Sequence, residues 1–207
     1  MNTLALTRVG GHGFSRGLMI PMADVSTGFL PLGRYSSSLV EVEAQFVADT
    51  KWTTSATRAA IWEEFISATE QLRSVLPVCS VWISGSFLTQ KLNPDDIDVL
   101  YWCENRHISA IPSTRVVDRL MLQKFARNEL RSDLGLRIDS RVGEWHARPE
   151  PAFLNTPEDR AHIIARGFWD DFWQRARSGA KGAPAVRADA IPRRGYIEVM
   201  LDGHDEH

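Results

Sequence analysis

The stretch VWISGSFLTQKLNPDDIDVLYW at residues 81–102 constrains the fold more than any other part of this chain. Val81, Trp82 and Ile83 form a short apolar run with β propensity, and Ser84-Gly85-Ser86 ends it, where glycine permits a sharp turn and a close backbone approach. Backbone N–H groups at such a turn, with a helix or loop over residues 87–91, make a small positive nest suited to phosphate, and the Ser86 hydroxyl adds a donor. A second run, Asp96-Ile97-Asp98-Val99-Leu100, alternates, so that Ile97 and Val99 share one strand face while Asp96 and Asp98 share the other. Two adjacent anions repel unless a hard cation lies between them, and Mg²⁺ takes one or two carboxylates together with phosphate oxygens and water. Alone, a Gly-Ser pair is an ordinary turn and an Asp-x-Asp a solvated edge. Their succession, an apolar strand, Gly-Ser, a spacer of nine residues and then alternating acids, points to a catalytic site.

Downstream, Leu136 to Val142 also alternates: Leu136, Ile138, Ser140 and Val142 face one way, Arg137, Asp139 and Arg141 the other. Asp139 is the third candidate carboxylate, the alternative being a surface ion pair with its two arginine neighbours.

The pattern of Ile83 or Ser84, Gly85, Ser86 and Asp96-Ile97-Asp98 resembles the DNA polymerase β-like nucleotidyltransferase superfamily. The looser details Thr89, Lys91 and Pro94, with GFLPLGRYSSSLVEVEAQFV at residues 28–47, resemble a family of small bacterial nucleotidyltransferase-like proteins. The similarity runs from about Gly28 to Leu201. It implies a minimal nucleotidyltransferase fold, α+β, with a small mixed β-sheet packed against helices, and it implies that a later strand supplies the third acid, here Asp139. It further implies a nucleoside triphosphate such as ATP as donor and two Mg²⁺ ions, with Mn²⁺ able to substitute. Asp96 and Asp98 are then expected to hold both ions, and Asp139 to help hold the one that activates the acceptor hydroxyl. Gly85 and Ser86 would hold the β- and γ-phosphates, with Lys91 a further phosphate-contact candidate; Asp95 should point away. The acceptor has no signature: an RNA end, a protein side chain or a small molecule all fit, as does a place in a toxin-antitoxin or phage-defence module with a partner toxin or antitoxin. The alternative from another class is a non-catalytic nucleotide-binding or antitoxin-like protein with the same fold.

Length and a 43% hydrophobic content suit one domain with a sizeable core, and a net charge of −2 leaves any nucleic-acid partner to a local basic patch. The expected division is an N-terminal extension at 1–27, a nucleotidyltransferase-like domain at 28–202 and a tail at 203–207. The extension, with its glycine-rich TRVGGHGFSRG, reads as flexible or peripheral, RNA binding being the alternative. Cys79 and Cys103 flank the motif strands without metal-ligand spacing and read as reduced and structural. No apolar run approaches membrane-spanning length and no signal-peptide core is present, which predicts a cytoplasmic protein without a membrane partner.

Helices are expected over 39–47, over about 56–76 with Ile61, Phe65, Ala68, Leu72 and Val75 in one stripe, from Pro112 to about Arg131, and from Thr156-Pro157 to about Arg177. Strands are expected near 80–83, 97–102, 136–142 and 196–201. Phe168, Trp169, Phe172 and Trp173 read as core before base-stacking residues. Arg175, Arg177, Lys181, Arg187, Arg193 and Arg194 against Asp189 read as a solvated basic loop, with contact to a triphosphate or RNA as the alternative. His204 and His207, in the tail, read as solvated and not as metal ligands.

Overall fold

The computed structural model describes residues 20–148, 156–180 and 182–204. At its centre β2 (Ser80–Ser84) pairs antiparallel with β3 (Ile97–Glu104). On the other side of β2 lies β5 (Tyr196–Met200), also antiparallel, and β1 (Arg34–Ser37) joins β5 in parallel at that edge. At the opposite edge β4 (Ile138–Trp145) runs parallel to β3. The result is one open mixed sheet in the order β1-β5-β2-β3-β4, an α+β architecture as expected.

Alternation divides the sheet cleanly. Val81, Ile83, Val99 and Tyr101 face one large core shared with α2 (Arg58–Val75) and α4 (Val116–Arg127). The predicted stripe of Ile61, Phe65, Ala68, Leu72 and Val75 is buried there, and Thr69 Oγ1 meets the Tyr101 hydroxyl at 2.9 Å. Residues on the other face, Trp82, Leu100, Trp102 and Tyr196, form a second cluster capped by Trp173 from α6 (Pro157–Gln174). A capping box between Thr156 and Asp159, with Pro157 in the first turn, starts α6 where the sequence predicts. Ser38 and Glu41 start α1 (Leu39–Phe46) in the same way.

Three features depart from the sequence reading. The helix expected to run from Pro112 to about Arg131 is two, because Asn128 adopts the left-handed conformation (φ 63°) and closes α4 before α5 (Leu130–Leu134). Asn128 Oδ1 also accepts the Ser140 N–H at 2.8 Å, so the break fastens the helix to β4. The short helix α3 (Asn105–Ala110) and strand β1 were not expected; β1 carries only the sequence RYSS, and edge pairing to β5, not apolar alternation, makes it a strand. Finally, ordered packing begins before residue 28: Ile20 is buried in the main core and Gln45 Nε2 donates to the Pro21 carbonyl at 3.0 Å. Residues 1–19, with TRVGGHGFSRG, lie outside the described residues. No described helix is long and apolar enough to cross a membrane.

Candidate active site

Ser84 ends β2 directly opposite Asp98, and Asp98 in turn lies beside Asp139 in the parallel register of β3 and β4. Adjacent partners project to the same face of a sheet, so Ser84, Asp98 and Asp139 stand side by side on the face that α6 covers. Asp96 immediately precedes β3. Its charge and that of Asp139 act on Asp98, whose carboxyl is pushed up to about 6, chiefly by burial and then by these two anions. The three predicted carboxylates therefore converge. Arginines partly compensate them: Arg131 donates to Asp96 Oδ2 at 2.8 Å, Arg141 contacts Asp139 Oδ1 at 3.2 Å, and the charges of Arg194 and Arg141 oppose the rise at Asp98. Ser84 Oγ is buried without a hydrogen-bond partner, a polar group aligned with this face and available to a ligand.

Gly85 has φ 82°, and a Cβ built there would fall 1.6 Å from Asp98 Oδ2. The sequence predicts a glycine that lets a ligand approach the backbone; what it admits here is the Asp98 carboxylate. Ser86 then opens a short 3₁₀ turn (Ser86–Leu88), stabilised by the Thr89 hydroxyl on the Ser86 carbonyl at 2.7 Å. Ser86 and Thr89 line one side of a cleft of about 650 Å³. Its other walls come from Phe172, Arg175, Arg177, Asp189 and Arg194, with Phe29 completing it.

Three residues of the basic segment, Arg175, Arg177 and Arg194, thus wall the cleft, whereas Arg187 is solvent-exposed and does not line it, and Lys181 lies outside the described residues. Arg194 is its most deeply placed cation: its Nε donates to the Trp173 carbonyl at 2.9 Å, and burial lowers its pKa while Asp98 opposes that. The aromatic group of α6 divides. Trp173 is core at 4% exposure, whereas Phe168 and Phe172 remain about half exposed, and Phe172 faces the cleft.

Two predicted contacts fall elsewhere. Lys91 Nζ pairs with Asp95 at 2.7 Å on an exposed turn and does not line the cleft. Arg137 leaves the Asp139 face altogether, because Glu64 on α2 takes its backbone N–H at 2.7 Å and its guanidinium at 2.6 Å. Sequence reasoning also missed Arg58, which is buried under Trp52 (3.7 Å to the ring centroid) and donates to the carbonyls of Phe46, Phe87, Thr89 and Lys91. It holds the loop that follows the Gly-Ser turn. Nothing local in a helical arginine signals this; only the folded path of residues 86–91 brings the carbonyls to it.

Fold and site together define an α+β protein whose mixed sheet presents three converging carboxylates next to a cation-walled cleft. Residues 22–200 match the model of a family of unknown function, DUF6932, and the chain belongs to that family. No curated protein matches the chain, and no solved structure does.

Proposed function

We propose that this protein is a Mg²⁺-dependent nucleotidyltransferase of the polymerase β-like class, moving a nucleoside monophosphate from a nucleoside triphosphate to an acceptor hydroxyl. The supporting observation is the juxtaposition of Asp98 with Asp139 and Asp96 beside a cleft walled by Ser86 and Arg194. Three hard oxygen donors crowded so that one carboxyl resists ionisation fit a divalent cation such as Mg²⁺, with Asp96, Asp98 and Asp139 as its holders. A bound ion of this kind supplies charge neutralisation for the phosphates and favours the ionised acceptor oxygen.

The chain's own groups do the rest. Ser86 and the turn backbone bind phosphate oxygens, and Arg194, Arg175 and Arg177 add positive charge along the cleft. Phe29 and Phe172 give the base apolar walls. Asp139, more exposed than Asp96, orients the acceptor hydroxyl, while Arg58 fixes the loop. In the transfer the acceptor oxygen bonds to the α-phosphorus as the bond to pyrophosphate breaks, and the hydroxyl proton passes to solvent.

Incubation with each labelled triphosphate, Mg²⁺ and a cell lysate tests this, by asking whether label enters RNA, protein or small metabolites. Asp98→Asn and Asp139→Ala should each reduce labelling by at least about a hundredfold, the scale of a lost catalytic electrostatic contact, and Asp139→Ala should keep nucleotide affinity within a few-fold. A second reading, nucleotide binding without transfer, draws on the ion pairs of Asp96 with Arg131 and Asp139 with Arg141, which already occupy two of the three acids. Saturable Mg–nucleotide binding with no label transferred under any condition would favour it.

A further inference from the structure

At the far end of β3 the chain brings together Cys79, Glu104 and His204, whose ligand atoms all lie within 4.8 Å of one another. We propose that these three residues form a second metal site, for a Zn²⁺-class ion, which ties the C-terminal segment to the end of the sheet. Glu104 is six residues along β3 from Asp98, about 20 Å at strand spacing, so this site is separate from the carboxylate cluster and stands or falls without the nucleotidyltransferase reading.

Several observations assemble it. Cys79 and Glu104 are both buried, at 2% and 3% exposure. His204 is brought to them by more than chance drift of a tail. Leu201 and Gly203 donate their N–H groups to the Cys79 carbonyl, at 3.0 and 3.2 Å, and Asp202 accepts the Val78 N–H while pairing with Arg73. The His204 ring lies against Trp145 with centroids 4.4 Å apart. Arg106 takes Glu104 Oε2 at 2.6 Å, yet a carboxylate accepts at about four lone-pair positions, so metal and guanidinium can share it.

The donor set decides the ion. Thiolate and imidazole select Zn²⁺ and its neighbours over Mg²⁺ or Ca²⁺, and three protein ligands leave a fourth tetrahedral position for water. Tetrahedral zinc needs ligand atoms about 3.5 Å apart, so the group must contract by roughly an ångström, which the exposed His204 can supply. Binding replaces the thiol proton, so it releases a proton and strengthens as pH rises. Cys103 is not a member: its side chain packs in the main core.

Titration of the full-length, metal-stripped protein with Co²⁺ reads the site directly. One equivalent should produce tetrahedral ligand-field bands and a sulfur-to-cobalt charge-transfer band, both displaced by Zn²⁺. Cys79→Ser should lose the charge-transfer band, and His204→Ala, an exposed change that leaves the core intact, should weaken affinity at least about tenfold. Asp98→Asn and Cys103→Ser should leave the spectrum unchanged. Absence of saturable binding, a wild-type titration in His204→Ala, or loss of the sulfur band in Cys103→Ser instead of Cys79→Ser would each overturn the proposal.

Discussion

A methyl group at position 85 would overlap the Asp98 carboxylate and would also hold an L-residue at φ 82°. Gly85→Ala is therefore expected to destabilise the fold by roughly 1–3 kcal/mol, measured by urea denaturation. Part of that should be restored in an Asp98→Ala background, where the overlapping atoms are gone; strictly additive costs in the double-mutant cycle would refute the clash. Asp98 makes a separate prediction about pH. Its carboxyl is pushed up to about 6 from an ordinary 3.8, first by burial and then by Asp96 and Asp139. The folded value lies above the unfolded one, so the native state binds this proton more tightly than the unfolded chain does. The resulting stability is full below about pH 4 and is lost as pH rises through about 6, on the order of 3 kcal/mol in all. Asp98→Asn, which mimics the protonated form, should thus gain on the wild type between pH 4 and pH 7. An unchanged difference in unfolding free energy at the two pH values would show that Asp98 ionises as easily in the fold as outside it.

Among the elements, the loop between β2 and β3 has little regular structure beyond one 3₁₀ turn, and its shape comes from Arg58 at the start of α2. One guanidinium serves four carbonyls at 2.6–3.0 Å, three of them within residues 87–91. Arg58→Met keeps much of the packing over Trp52 but leaves those acceptors without their donor. It should destabilise by roughly 2–4 kcal/mol and speed amide hydrogen exchange across residues 87–91 more than in the centre of β2. Uniform acceleration would mean that Arg58 acts on global stability alone. The helices themselves were legible because α2 and α6 carry an apolar stripe and a start signal. The break between α4 and α5 was not, since Asn128 closes a helix only when its side chain finds the Ser140 N–H on a strand that lies 12 residues on.

The two faces of the sheet make the molecule. One buries the large aliphatic and aromatic core against α2 and α4; the other depends on the cluster of Trp82, Trp102, Tyr196 and Trp173, with Trp82 Nε1 donating to Glu198 at 2.7 Å. Trp173, together with the buried His162 packed edge-on against Trp102, fastens α6 to that face, and the chain that follows Trp173, Arg175 and Arg177, walls the cleft. Trp173→Ala should cost about 3–5 kcal/mol and, on the proposed function, weaken triphosphate binding even under conditions where the protein stays folded. Calorimetry with the Mg–nucleotide would check this; unchanged affinity would show that the basic wall holds its place without α6.

The sequence by itself determined what depends on neighbours along the chain. A short apolar run marked a strand near 80–83, alternation marked strands near 97–102 and 136–142, 3.6-residue periodicity marked α2, and the acids of one strand could be placed on one face because side-chain direction follows residue number. The structure alone decided what depends on partners far away in sequence. Register set Asp139 beside Asp98 and not one residue off, which would have turned it to the opposite face. Glu64, 73 residues from Arg137, drew that arginine away from the site. Arg194 became a site cation, where five other basic residues nearby had an equal claim by composition. The tail histidine met Cys79 and Glu104 for the same reason: hydrogen bonds from residues 201 and 203 to the Cys79 carbonyl carry it there, and no spacing rule spans the 124 residues of intervening chain.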